Sequence, residues 1–331
     1  MSGGSPELFD ALPGLDAPLD SISKSMAAMW EDTAAHDRPA PASEDSKATQ
    51  VNLVLHLGFK TTVDEGVEQF QIAVRFSRRY PSRVVVLCPL SKESGQSEMR
   101  AKVYGECSIG KTRDDTRCCE FVMLSYPRAA RIQLESQVSI CLSTDLPLYY
   151  WAHRFSQAAK LADYRYLLTN ARRVLIDTAT APPDTIGYAW PRPENVRDLA
   201  FARLLAVRQS IGQFLSRYPA QAVGGTLGGV TLEHGASLEA EGRVLLEWVN
   251  NRLAACGAAD YPSKLAPGTT FKDRELALTF KYPSGRAFAW RADFEAGHSE
   301  FKADFGTGAT TMPAPVKLLS PEAALAEAMF F

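Results

Sequence analysis

Two short apolar runs separated by a capped amphipathic segment restrict this chain more than any other feature. Gln50 to Phe59 (QVNLVLHLGF) and Arg83 to Cys88 (RVVVLC) are rich in β-branched residues over a strand's length, so each is expected to be a buried strand. Between them, Thr62 and Glu65 have the spacing of a capping box, and Val67, Phe70 and Val74 recur at helical period until Tyr80 and Pro81. Strand, helix and strand in this order form a parallel pair joined by a crossover, which makes the fold class α/β. Ala101 to Ile109 and Thr116 to Tyr126 read as further strands, Arg128 to Leu142 as a helix, and Leu146 to Trp151 (LPLYYW) as another strand. A first α/β domain is therefore expected over 49–165.

The second half continues the alternation. Arg172 to Thr178 reads as a strand, and Glu194 to Arg217 as one long helix broken only at Gly212. A strand near Gly225 to His234 leads into a helix with Ser237 as N-cap, Glu239 and Glu241 in its first turn, and Gly257 beyond its end. Glu275 to Tyr282, Arg286 to Phe294 and Glu300 to Phe305 read as an antiparallel meander, and Pro321 to Phe331 as a terminal helix. The expectation is two α/β domains with mixed sheets, the second (166–331) ending in the meander. Before them, residues 1–48 form an acidic leader carrying one amphipathic helix over about 17–34. Leu19, Ile22, Met26 and Met29 share a face of that helix with Trp30 beside them, a stripe expected to pack on the chain's own body. Arg38 to Lys47 is expected to be a linker.

Composition excludes several classes. Lys plus Arg number 36 against 38 Asp plus Glu, so the strong positive field of a general nucleic-acid binder is missing. That near-neutrality conceals an asymmetry: residues 1–48 hold nine acidic and three basic side chains, and the remainder carries a small positive excess. No apolar run approaches the roughly 18 residues of a spanning helix, and Met1 to Asp10 lacks the features of a signal peptide, so a cytoplasmic protein is expected. Six cysteines at irregular spacing, with no C-x-x-C, suit reduced thiols better than a disulfide framework or a zinc site.

One motif carries possible chemistry. Gly105, Gly110, Lys111 and Thr112 satisfy G-x-x-x-x-G-K-[ST], whose backbone amides cradle phosphates while the lysine and hydroxyl serve the terminal phosphate and magnesium. A nucleotide-binding enzyme or sensor is the alternative reading this match supports. The motif requires a helix directly after it, however, and Cys118 to Tyr126 reads as strand. Asp114 and Asp115 would also set negative charge beside the phosphates. The bland alternative is a turn between two antiparallel strands. His56 stands alone in an apolar strand and is expected to be a hydrogen-bonded core residue. Other dinucleotide, zinc and hydrolase signatures are missing, so no catalytic residues, cofactor or metal ligands are assigned and the chain is not expected to be an enzyme.

The blocks NLVLHLGF, RVVVLCP, CCEFVMLSY, STDLPLYYWAHRF, YRYLLTNARRVLIDTA and NVRDLAFARLLAVRQSIGQFL follow one another in an order that resembles the OpcA family of glucose-6-phosphate dehydrogenase assembly proteins. The clearest matches are Asp145-Leu146-Pro147 leading to Trp151, Arg173 to Asp177, and Asp198-Leu199 leading to Arg203-Leu204 and Arg208. Phe201, Val207 and Tyr150 stand where the resemblance leads one to expect tryptophan. The resemblance implies a regulatory subunit of the oxidative pentose phosphate pathway that binds glucose-6-phosphate dehydrogenase and favours its active oligomer. Tyr149, Trp151, Trp190 and Arg192 are the partner-contact candidates, being residue types enriched at binding hot spots and placed at a strand end or in a proline-rich loop, with core packing an equal reading for Trp151. Asp177, Asp198, Arg203 and Arg208 could equally form an internal ion-pair network that positions the long helix on the sheet, the favoured reading for Asp198 and Arg203.

Overall fold

The structure, a computed structural model, describes residues 7–36, 40–41, 49–90, 98–109 and 116–331. The expected linker from Arg38 to Lys47 lies outside the described residues except for 40–41. The chain divides into two compact units: one runs to Asp198 and includes Leu325–Phe331, the other is Leu199–Ala324.

In the first unit, α1 (Leu8–Ala11), β1 (Leu15–Ala17) and α2 (Ile22–Ala35) precede the strand–helix–strand core of β2 (Val51–Leu57), α3 (Val63–Arg79) and β3 (Ser82–Pro89). There follow β4 (Arg100–Ile109), β5 (Thr116–Tyr126), α4 (Arg131–Cys141), β6 (Leu148–His153), α5 (Arg165–Asn170), β7 (Arg173–Ile176) and β8 (Val196–Asp198). The capping box forms as the sequence indicates. Thr62 Oγ1 accepts from the Glu65 amide and Glu65 Oε2 from the Thr62 amide, so two otherwise orphaned donors at the start of α3 are satisfied. Every residue of β2 is buried, the burial of a strand covered on both faces.

The eight strands lie in the order β1-β4-β5-β3-β2-β6-β7-β8. β5, β3, β2, β6, β7 and β8 are mutually parallel, while β4 and β1 form an antiparallel edge. Numbered by the chain, the parallel strands read 3-2-1-4-5-6, the doubly wound arrangement in which successive crossovers leave the first strand in opposite directions. The switch falls between β2 and β6.

Two corrections follow. The expected boundary at 165/166 moves to 198/199, because β7 and β8 extend the first sheet past β6. The expected continuous helix over Glu194–Arg217 is broken: 196–198 add an edge strand, and α6 (Leu199–Arg203) and α7 (Leu205–Leu215) follow separately. The acidic leader packs its helix on the chain's own body, as the stripe indicates. β1 pairs with β4, and Ile22, Met26 and Trp30 of α2 are buried in the same core as Val103, Val122 and Leu124. Its charge finds partners in the same unit, since Asp10 lies 2.9 Å from Arg100. The buried Lys102 ammonium donates to the carbonyls of Phe9, Asp10 and Leu12, tying the segment down again.

The cysteine reading also changes. Cys107 and Cys118 are cross-strand partners of β4 and β5, with Cα atoms 4.0 Å apart, and a disulfide joins them. Their sequence spacing carries no sign of this, because the juxtaposition comes from strand register. Cys88, Cys119 and Cys141 are buried free thiols, and burial pushes the pKa of Cys88 and Cys119 up to about 12.

The second unit holds α6 and α7, α8 (Ala220–Gly224), β9 (Gly229–His234), α9 (Glu239–Ala255), β10 (Ser263–Pro267), β11 (Glu275–Lys281), β12 (Ala287–Asp293), β13 (His298–Asp304) and β14 (Thr310–Pro315). The chain ends in α10 (Pro321–Phe330). The sheet order β10-β9-β11-β12-β13-β14 contains the expected antiparallel meander. β12 and β13 alternate buried and open positions, so one face is core, where Phe280, Phe288, Trp290 and Phe301 pack with Phe214 of α7 and Leu245 of α9. Ser237 does not cap α9; it sits in a preceding 3₁₀ turn and Leu238 occupies the cap position. Among the described residues, no helix is long and apolar enough to cross a membrane.

Candidate functional site

Of the phosphate-loop pattern, Gly105 falls among the described residues. Gly105 lies within β4, and its carboxyl-side neighbours lead to β5, which runs antiparallel to it from Thr116; a phosphate loop would need a helix there. Gly110, Lys111 and Thr112 lie outside the described residues. Gly105 has another reason to be glycine: a Cβ would stand 2.5 Å from the Trp30 ring and 2.4 Å from Met29 Cε. Gly105→Val is therefore expected to destabilise the protein by about 1–3 kcal/mol through overpacking, read as a lower urea midpoint with an unchanged m value.

The partner-contact candidates separate. Tyr149 and Trp151 are each only 2% exposed, because β6 lies between β2 and β7 with both faces covered; the contact reading of Tyr149 is corrected to a core role, and Trp151 takes the core alternative. Tyr149 meets Phe330 edge-on at 5.9 Å. Trp190 is half-buried and packs edge-on against Tyr188 at 4.8 Å, whereas Arg192 and Ile186 are exposed in the same β7–β8 connection. Asp198 and Arg203 have internal partners: Asp198 accepts from the Thr178 amide and hydroxyl, and Arg203 pairs with the buried Glu241 at 2.6 Å. Arg208 lies over the Phe201 ring, 3.7 Å from its centroid.

The feature that residue-by-residue reading missed is a cleft of about 630 Å³ at the carboxyl ends of β2, β3, β5 and β6. It opens where the crossovers diverge, the position at which doubly wound sheets leave a crevice. Gly58 and Phe59 follow β2, Leu90 follows β3, Pro127 and Arg128 follow β5, and Phe155 and Ser156 follow β6. A Cβ at Gly58 would meet the Arg154 carbonyl oxygen at 2.5 Å, so only glycine lets the turn after β2 approach the end of β6 this closely. Arg131, Lys160, Leu161 and Tyr164 complete the wall.

Behind that wall runs a buried polar chain. His56 Nδ1 lies 2.7 Å from the Tyr150 hydroxyl, and His56 Nε2 lies 3.1 Å from the Tyr126 hydroxyl, which in turn is 2.8 Å from that of Tyr164. All four residues are at most 4% exposed. Burial lowers the His56 pKa to about 3, with the nearby Arg131 guanidinium acting in the same direction, so the ring is neutral at physiological pH. Burial also raises Tyr126 and Tyr150 well above the ordinary phenol value. Arg131 pairs with Asp163, whereas no carboxylate pairs with Arg128 or Lys160 among the described residues. Also among the described residues, no group of three His, Cys, Asp or Glu side chains could hold a metal ion. The signal that would have pointed to the cleft was present: His56 lies near the end of one apolar run read as a strand, Tyr126 ends another, and Arg128 follows directly after it.

Residues 73–208 match the family model described as the glucose-6-phosphate dehydrogenase subunit N-terminal domain, OpcA_G6PD_assem. Over this segment the chain is similar to the OpcA family. The match begins within α3, spans the cleft-forming loops after β5 and β6, and ends in α7. No curated protein matches the chain. Among solved structures, a K102A mutant of the 3-ketoreductase KijD10 from Actinomadura kijaniata is 10% identical, with a TM-score of 0.40, covering 84% of this chain and 88% of its own. An aldose-aldose oxidoreductase from Caulobacter crescentus is 11% identical, with a TM-score of 0.36, covering 85% of this chain and 87% of its own. At these scores neither bears on what the OpcA-type segment does.

Proposed function

We propose that the chain is a non-catalytic assembly factor that binds glucose-6-phosphate dehydrogenase and favours its active oligomer. The observation that carries this reading is the family match over 73–208, which covers most of the doubly wound sheet. An assembly factor acts by binding one state of its partner more tightly than another, since equal affinity for both shifts nothing. A tenfold shift needs about 1.4 kcal/mol of preference, within reach of one well-buried hot-spot contact at about 2 kcal/mol. By linkage, any ligand of the dehydrogenase that favours the same oligomer tightens the complex.

The β7–β8 connection supplies a docking face of suitable chemistry, with Ile186 64% exposed, the Tyr188–Trp190 aromatic pair and the Arg192 guanidinium close together in sequence. Mixing the purified chain with glucose-6-phosphate dehydrogenase from the same cell should give a co-eluting complex in size-exclusion chromatography with light scattering, together with raised activity. Neither effect appearing would end this reading. Ile186→Asp and Arg192→Ala should each weaken the complex by roughly 10- to 30-fold, as hot-spot truncations do, while leaving the thermal midpoint of the free chain within a degree or so. Full affinity in both variants would move the interface elsewhere.

A further inference from the structure

We infer that the cleft at the carboxyl ends of β2 and β6 binds a phosphorylated small metabolite, with the Tyr164 hydroxyl and the Arg128 and Lys160 cations holding its phosphoryl group. This goes beyond the assembly role and does not depend on it. Proton order in the buried polar chain is set from its Tyr150 end. Tyr150 is fully buried, and His56 Nδ1 is the hydrogen-bond partner of its hydroxyl among the described residues, so the Tyr150 O–H must donate there; a buried hydroxyl proton without an acceptor is costly. A neutral imidazole that accepts at Nδ1 carries its proton on Nε2 and donates it to the Tyr126 oxygen. The Tyr126 hydroxyl then donates to the Tyr164 oxygen.

Each link is thereby fixed in one direction, and the sequence ends at Tyr164. Its oxygen is satisfied, but its own proton has no acceptor among the described residues, and Tyr164 lines the cleft. It is 4% exposed. Aligned hydrogen bonds polarise one another, so the last O–H is a better donor than an isolated phenol. Arg128 and Lys160 line the same cleft without carboxylate partners, which leaves their charge available to an anion. The remaining wall of Phe59, Leu90, Phe155 and Leu161 is apolar, and Phe59 is 52% exposed, a face for the less polar body of the ligand. The combination of donor, cations and apolar wall fits a phosphate monoester of a compact ring-bearing molecule. The amino end of α3 is not part of the recognition, because the Thr62–Glu65 capping box already occupies it.

Titration calorimetry on the free full-length protein tests this, using glucose 6-phosphate and adenosine 5′-monophosphate against glucose and adenosine. At least one of the two phosphates should bind at millimolar concentration or below, and its unphosphorylated counterpart should not. Arg128→Ala and Tyr164→Phe should each weaken that binding about tenfold, the range for losing one charge-assisted or polarised donor, while Arg192→Ala leaves it unchanged. Arg128 is exposed, so its variant folds even if Tyr164→Phe is destabilised. No binding by either phosphate, equal binding without the phosphate, or undiminished affinity in either cleft variant overturns the proposal. None of these outcomes involves the dehydrogenase, so the assembly role stands or falls separately.

Discussion

A Trp30→Ala variant is expected to lose about 3–5 kcal/mol of stability, the range for deleting a large aromatic from a packed core. Trp30 is 6% exposed, packs over the bare backbone of Gly105, and donates its indole N–H to Glu120 Oε1 at 3.0 Å. Glu120 also receives the Arg83 guanidinium, so the indole is part of a buried polar cluster as well as filling space. Removing it leaves both a cavity and a buried carboxylate short of one donor. Against a typical net stability of about 5–15 kcal/mol this is a large fraction. Urea denaturation would measure it, with Trp30→Phe as the companion variant. Phenylalanine keeps most of the ring volume and should cost only about 1–2 kcal/mol for the lost hydrogen bond and the smaller ring. An unchanged midpoint for Trp30→Ala would mean that α2 does not belong to this core.

Acidification is the second large effect. His56 is held to a pKa of about 3 and His153 to about 4, against an unfolded value near 6.5, in both cases chiefly by burial. For His153, Asp177 pulls in the opposite direction and is outweighed. Below pH 6.5 the unfolded chain binds protons that the folded chain refuses, so stability falls as pH falls, by about 1.4 kcal/mol per pH unit for each ring. The loss is absent above pH 7 and ends once pH drops below the folded values. Between pH 7 and pH 5 the two rings together should remove roughly 3–4 kcal/mol, visible as a lower urea midpoint. Replacing His153 by glutamine should halve that pH slope whatever it does to the stability at pH 7. Equal midpoints at pH 7 and pH 5 would refute the account.

The centre of the first sheet was legible because its physics is local. Full burial of β2 and β3 demands uninterrupted apolar runs, and the Thr62–Glu65 box marks where α3 must begin. The sheet edges were not legible, because an edge strand has weak constraints on its composition. β14 reads TTMPAP and β10 reads SKLAP, and prolines are tolerated where one side of the ladder is unpaired. β8 is only three residues long, and its register beside β7 is reinforced by Asp198 gripping Thr178, a contact twenty residues apart that no helical period can reveal. The same limit hid the cleft. His56, Tyr126, Tyr150 and Tyr164 come from four separate segments, and each alone is an ordinary core residue. In the motif that did stand out in the letters, Gly105 to Thr112, the described glycine, Gly105, makes room for the Trp30 indole.

The seven residues Leu325–Phe331 count with the first unit, where Phe330 stacks with Phe76 and meets Tyr80 and Tyr149. On the ribosome, every strand of the first sheet emerges long before this ring does. The first unit must therefore wait through synthesis of the whole second unit with an aromatic socket open, a vacancy that a holding chaperone could occupy. A gene fragment stopping after β8 would leave that socket open permanently.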